Sequence, residues 1–151
     1  MNSSHRILAG IALALVAAPL MASPGQQVQT RVDGLKALGG AFKAVNDALR
    51  SEQLEPIPLQ QAARRISTAA RDQYRWFPAG SGPESGVKTS AKPEVWSRRA
   101  AFRLAQDNFA AAARSFEHAA ASGNVEALRG EARKLGGACK ACHDQFRAPK
   151  D

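Results

Sequence analysis

The sequence predicts an all-α protein, an antiparallel up-down-up-down four-helix bundle. Apolar residues recur at heptad spacing in four separate segments, and no segment alternates polar and apolar residues as a half-buried strand does. The connections between these segments are short apart from one turn-rich stretch, which favours antiparallel neighbours. Each helix is predicted from its own apolar seam.

The first two predicted helices cover roughly 26–50 and 58–75. The first has an apolar seam with members at Val28, Leu35, Leu38, Phe42, Val45 and Leu49. The second turns Leu59, Ala63, Ile66 and Ala70 inward. Arg31 lies on the first seam, where an unpaired buried charge would be costly.

Residues 76–92 are rich in Gly, Pro and Ser and predict a loop. The third helix is predicted to begin at Pro93, because proline suits a first helical turn. Its seam repeats at Val95, Phe102, Phe109 and Phe116, with alanines between. The fourth begins near Asn124, with a seam of Val125, Leu128, Ala132, Leu135, Cys139, Cys142 and Phe146. So many alanines leave a thin aliphatic core, which a further buried group would fill.

The N-terminus predicts export. His5 and Arg6 precede an apolar run over 7–18 and a small-residue cleavage pattern. That run is short for a membrane span, although a retained anchor is the alternative. We therefore expect a secretory signal peptide over 1–22 and one compact domain over 23–151.

The formal net charge is +8 at pH 7. Basic residues are scattered along all four predicted helices without a Lys/Arg run, so no nucleic-acid binding is expected. A solvated, soluble surface explains the excess, and such a basic surface could also steer an acidic redox partner.

The only two cysteines lie in the motif C-K-A-C-H at 139–143. C-x-x-C-H is the attachment motif of c-type haem. Residues three and four apart share a helix face, so Cys139, Cys142 and His143 can address one flat ligand. The prediction is one covalently bound haem c per chain, with a thioether at each cysteine and His143 on the iron.

The cysteine pair could also serve a site without haem. A structural zinc site needs four ligands, and only the distant His118 could join the motif. A thioredoxin-like pair expects a βαβ setting, and a disulfide closing so small a loop would stabilise little. A haem-free bundle with a redox-active or metal-binding pair is the alternative. Gly136 and Gly137, one turn before the motif, favour a ring lying close to the backbone, or else a helix bend.

In combination the motifs resemble cytochrome c prime and its relatives, the class II c-type cytochromes. The resemblance spans essentially all of 23–151 and rests on four stretches: Arg31-x-x-x-Leu35, A-K-P-E-V-W at 91–96, Phe102 with Q-D-N at 106–108, and G-A-C-K-A-C-H-D-Q-F-R at 137–147. It implies a haem-binding bundle exported to the periplasm.

The resemblance also implies roles for single residues. Cys139 and Cys142 would be the thioether residues, His143 the axial iron ligand, Arg31 a propionate contact, Leu35 the apolar distal residue, Arg147 a proximal neighbour, and Thr89 and Ser90 haem-edge contacts. Alternatively, Arg31 snorkels from the end of the bundle. Many relatives have Gln after the Arg of the first helix, and Val32 stands there instead.

The distal residue decides the expected chemistry. Low-spin relatives place a Met there, whereas high-spin relatives place an apolar residue and leave the iron five-coordinate. Met1 and Met21 both fall in the predicted signal peptide, and Leu35 cannot ligate. The expected ligands are therefore nitric oxide and carbon monoxide. The alternative is a low-spin electron carrier whose sixth ligand is Lys36, Lys43 or His118.

The expected function is electron transfer, small-gas binding or both, with a redox partner that the sequence does not identify. No distal His/Arg pair suited to O–O cleavage is evident, so the protein is not expected to be an enzyme. The family resemblance also implies a homodimer.

Overall fold

A computed structural model describes residues 22–51 and 54–149. It contains five α-helices in this part of the chain: α1 (Pro24–Arg50), α2 (Pro56–Asp72), α3 (Glu94–Ser97), α4 (Arg99–Ser122) and α5 (Val125–Phe146). The four long helices form the bundle, so the predicted fold class is confirmed. Apart from Ala22, the predicted signal peptide lies outside the described residues. None of the helices in the described ranges is long and apolar enough to cross a membrane.

Local sequence explains where the helices begin and end. Ser23 caps α1 in a capping box: its backbone N–H donates to Gln26 Oε1 at 2.8 Å and its Oγ accepts from Gln26 N at 3.3 Å. Gly123, at φ 72°, ends α4 in the left-handed conformation. The next residue, Asn124, caps α5 by accepting from Ala127 N at 2.9 Å.

Three helices differ from the prediction at a boundary. The first begins at Pro24, two residues earlier than predicted. The second helix begins at Pro56, two residues early, and ends in a 3₁₀ turn over Gln73–Arg75. The third is interrupted at Arg98, whose φ of −115° and ψ of 49° separate α3 from α4. No glycine or proline marks this break. It accompanies the docking of Trp96, whose Nε1 donates to Pro78 O at 2.9 Å and fixes α3 against the loop.

The core consists of two apolar clusters. The larger one joins α1, α2, α4 and α5 around Val45, Ile66, Phe116 and Leu135 and is rich in alanine, as the sequence predicts. The smaller one surrounds Val95, Phe102 and Phe146 at the other end of α5. Their positions leave the cysteines of α5 between the two clusters.

Helices α1 and α5 are the least closely packed neighbours in the bundle, whereas α4 packs closely on both α2 and α5. Four residues of the predicted α1 seam accordingly remain partly exposed: Leu35, Leu38, Phe42 and Leu49. The seam between α1 and α5 is therefore open to a further group, in the place where the sequence predicts the haem.

Candidate functional site

Helix α5 places both cysteines at the open seam. Cys139 packs against the larger apolar cluster and Cys142 against the smaller one. Both side chains are half-buried, and the thiols are free rather than joined in a disulfide. Because they are three residues apart on one helix face, the two thiols are presented to the same ligand.

The surroundings make both thiols weak acids. Burial raises the pKa of the Cys139 thiol. Burial, together with the neighbouring Cys139, raises the pKa of Cys142 to about 11. Redox-active and nucleophilic cysteines have lowered pKa values in electropositive surroundings, so these thiols do not resemble a redox-active pair.

His143 follows Cys142 on the same helix, and its ring is exposed at the surface of α5. Partial desolvation lowers its pKa, Arg147 one turn later adds to this effect, and Asp144 opposes it. The neutral imidazole, which is the form that binds a metal, is thereby favoured. Among the described residues, no group of three or more His, Cys, Asp or Glu side chains is arranged to hold a metal ion.

Arg31 lies on the buried face of α1, and only 2 % of its surface is exposed. Its Nη1 donates to Ser81 Oγ at 3.0 Å and to Trp76 O at 3.4 Å. Its Nη2 donates to Ser81 O at 3.0 Å and to Thr89 Oγ1 at 2.9 Å. The guanidinium therefore organises the loop after α2, and it does not snorkel to solvent.

Aromatic rings complete the surroundings of Arg31. Its Cζ lies 5.1 Å from the ring centroid of Phe77 and 5.6 Å from that of Trp96. Desolvation lowers the pKa of Arg31, and the negative charge of Glu84 partly opposes the shift. No carboxylate of the described residues forms a salt bridge with the guanidinium, so a negatively charged ligand group could pair with it directly.

Sequence reasoning missed three members of this environment: Ser81, Trp76 and Phe77. Their contacts with Arg31 span 45 or more residues along the chain, and no heptad or motif spacing reports such pairs. The sequence feature that could have indicated these residues is the high density of aromatic and turn residues at the start of the loop.

Residues 89–92 and 146–148 meet at the end of α5. Ala91 and Arg147 form an isolated antiparallel bridge, Lys92 N donates to Phe146 O at 3.0 Å, and Ala148 N donates to Ser90 O at 2.8 Å. Thr89, Ser90 and Arg147, all predicted site residues, are thus brought to one end of the bundle. Thr89 also reaches Arg31, so the loop is fastened to both α1 and α5.

The distal residue predicted on α1 lies open. Leu35 is 40 % exposed although it belongs to the apolar seam of the helix. One turn later, a Cβ added at Gly39 would meet no atom within 4 Å. The alternative iron ligands Lys36 and His118 have exposed side chains, and Lys43 is engaged with Asp47. None of these side chains is packed in the core, and Leu35 is the apolar one among them.

The two glycines before the motif behave differently. A Cβ at Gly136 would lie 3.3 Å from Cζ of Phe42, so this glycine accommodates the Phe42 ring of α1. A Cβ at Gly137 would meet no atom within 4 Å. Space beside the backbone is thus present at Gly137, whereas at Gly136 a side chain of the protein already approaches.

These residues fit a covalently attached haem. Two free thiols with raised pKa values and an imidazole share one face of α5, helix α1 packs only loosely on α5, and α1 carries a buried cation that forms no salt bridge with a carboxylate of the described residues. Thiols and imidazole are the donors that c-type haem requires, and the open seam offers an apolar setting for the ring.

Comparison with known proteins gives concordant results. The model of the family described as Cytochrome C′ matches residues 26–147. A cytochrome c′ of Rubrivivax gelatinosus is 33 % identical over 127 residues, covering 82 % of this chain and 95 % of that protein. A cytochrome c′ with ligand-controlled dimer dissociation has a similar structure, with a TM-score of 0.79 and 27 % sequence identity. The match covers 85 % of this chain and 99 % of that chain. The structure of a ferrous variant of Alcaligenes xylosoxidans cytochrome c prime with bound NO is also similar, with a TM-score of 0.78 and 24 % sequence identity. The match covers 86 % of this chain and 99 % of that chain.

Proposed function

The chain belongs to the cytochrome c′ family, whose members bind c-type haem, and we propose that it is a periplasmic protein with five-coordinate, high-spin iron that binds nitric oxide and carbon monoxide and exchanges single electrons. One observation carries the proposal. Leu35 of α1, the residue to which the family resemblance assigns the distal side, cannot ligate and is 40 % exposed instead of being packed in the core.

In this proposal the described residues have distinct roles. Cys139 and Cys142 would hold the haem through thioethers, and His143 would be its protein ligand. Arg31 contacts a propionate, and the carboxylate would share or replace the contacts that the guanidinium makes with the loop. Thr89, Ser90 and Arg147 lie at the haem edge and proximal side. The haem would supply an iron that can take up one electron or one small ligand.

The apolar seam also determines which ligands are favoured. Leu35 provides no hydrogen-bond donor, so bound dioxygen would gain little stabilisation, whereas nitric oxide and carbon monoxide do not depend on such a donor. Anionic ligands would lose hydration in an apolar setting without compensation. The structure of the same fold with bound NO agrees with this choice of ligand. We propose binding and electron exchange rather than substrate turnover.

We also propose that residues 1–22 are a signal peptide and that the mature chain begins at Ser23. The structure supports this boundary because Ser23 is the N-cap of α1, so cleavage before it would leave the first helix complete. We further propose a homodimer, as in the similar cytochrome c′ whose dimer dissociates under ligand control.

The optical and EPR spectra of the haem-loaded mature protein, oxidised and reduced, test the proposal. A high-spin signal that changes on adding nitric oxide is the expected result. A low-spin spectrum would overturn five-coordination and indicate a sixth ligand such as Lys36 or His118, leaving plain electron transfer. Failure to attach haem in a host with the maturation machinery would contradict the proposal as a whole.

A further inference from the structure

A second opening lies along the seam between α1 and α5, on the side of Gly136 away from the C-K-A-C-H motif. This groove holds about 360 Å³, a volume within the range of small-molecule sites. Its walls are Phe42, Asn46 and Leu49 of α1 and Arg129, Ala132, Arg133 and Gly136 of α5. These spacings place each set on one face of its helix.

Phe42 separates the groove from the part of the seam proposed to hold the haem. Its ring crosses the seam towards α5, close enough that a Cβ at Gly136 would lie 3.3 Å from it. Leu35 and Cys139 lie on one side of this contact, and Leu49 and Arg129 lie on the other. The groove is therefore a separate site, and the proposed haem function makes no use of it.

The groove combines apolar walls with two cations. Ala132 is buried, and Phe42 and Leu49 are half-buried. Arg129 and Arg133 are one turn apart and exposed at the rim. Arg129 Nη2 donates to Leu49 O at 3.5 Å, which holds the guanidinium at the end of the groove. Within 22–51 and 54–149, neither arginine forms a salt bridge with a carboxylate.

We propose that this groove binds a small amphiphilic carboxylate, with its apolar chain along Phe42, Leu49 and Ala132 and its carboxylate at Arg129 and Arg133. Burying an apolar chain is favourable, and a planar guanidinium pairs with a carboxylate through two parallel hydrogen bonds. A cationic amphiphile of the same length would meet like charge at the rim and would be rejected.

Calorimetric titration of the haem-loaded protein with decanoate tests the proposal, with decyltrimethylammonium as the probe of opposite charge. The variant Arg129→Gln/Arg133→Gln should weaken decanoate binding by about tenfold or more, because it removes both ion pairs. Leu49→Trp keeps both charges and narrows the groove, so it should weaken binding as well. The control Arg64→Gln/Arg65→Gln removes the same charge from exposed positions on α2 and should bind like the unaltered protein.

Several outcomes would overturn the proposal: no binding up to about 5 mM decanoate, equally tight binding of the cation, or an equal loss in the α2 control. A change in the Soret band that tracks decanoate binding would place the ligand at the haem and also contradict the groove. The spectra without decanoate test the haem function separately, so the two proposals can fail independently.

Discussion

At the scale of single residues, Arg31 links α1 to the loop after α2. Replacing it with Gln should lower the free energy of unfolding by about 3 kcal/mol, because buried acceptors such as Ser81 O lose a charged donor. Arg31→Lys keeps the charge without the planar fork and should recover only part of the loss. Denaturant unfolding of the haem-loaded proteins measures the effect.

The matched control for Arg31 is Arg65→Gln on the exposed face of α2. Surface substitutions of this kind usually change stability by less than about 0.5 kcal/mol. Equal stability losses at Arg31 and Arg65 would contradict the role assigned to the buried guanidinium.

We propose that a second residue, Leu35, determines the coordination of the iron. Leu35→Met introduces a thioether at the proposed distal position and should give a low-spin, six-coordinate spectrum with weaker nitric oxide binding. Leu38→Met is the control, because Leu38 packs against the larger apolar cluster. A Leu35→Met protein that stayed high-spin would show that Leu35 does not face the iron.

The raised pKa of Cys142 predicts how the reactivity of this thiol depends on pH. In haem-free protein, iodoacetamide should alkylate Cys142 slowly at pH 8, with the rate rising towards the pKa of about 11. Since the folded pKa exceeds the ordinary value of 9.0, this thiol contributes stability that is present below pH 9 and lost as the pH rises towards 11. Alkylation of the folded thiol with a midpoint below pH 8 would instead support a redox-active pair.

The sequence identifies one part of the site more readily than the other. Cys139, Cys142 and His143 lie in one local motif whose geometry follows from helix periodicity. The buried position of Arg31 follows from the seam, whereas its hydrogen bond to Thr89 was not predicted, since Thr89 was expected only as a haem-edge contact. Ser81 and Trp76 could not be predicted, because they meet Arg31 through a loop whose path has no periodicity.

At the scale of helices, the packing of Trp76 on α1 depends on Gly34. A Cβ at this glycine would lie 2.5 Å from the Trp76 ring. Gly34→Ala should therefore destabilise the protein by about 1–3 kcal/mol, despite the better helix propensity of alanine. Thermal unfolding of the haem-loaded protein measures the change.

Gly40 offers a matched control on the same helix. A Cβ there would meet no atom within 4 Å, so Gly40→Ala should stabilise the protein by about 0.5–1 kcal/mol. Opposite changes in stability for the two variants would separate the cost of close packing from the gain in helix propensity. Stabilisation by both substitutions would contradict the contact between Trp76 and α1.

The elements themselves were largely predictable. Heptad spacing located all four long helices because their buried faces are continuous. The break at Arg98 was not predictable, since no proline or glycine marks it and Val95 and Phe102 keep helical spacing across it. It arises from the tertiary docking of Trp96, which a local pattern does not report.

At the scale of the whole molecule, the bundle is unequally packed. Helix α4 packs closely on α2 and α5, whereas α1 and α5 scarcely touch along the seam proposed to hold the haem. A group bound covalently to α5 and covered by α1 would join the two helices that the chain itself leaves apart. Stability should therefore be distributed unevenly in the absence of haem.

Hydrogen exchange of Cys139→Ser/Cys142→Ser, which cannot form thioethers, against the haem-loaded protein measures this distribution. Amides of α1 should exchange much faster in the variant, because α1 would then rest mainly on α2, while amides of α4 should change least. The haem-free protein should keep most of its far-UV circular dichroism, since the larger apolar cluster does not require the haem. A uniform loss of protection over α1, α2 and α4 would instead mean that the haem supports the whole bundle rather than its open seam.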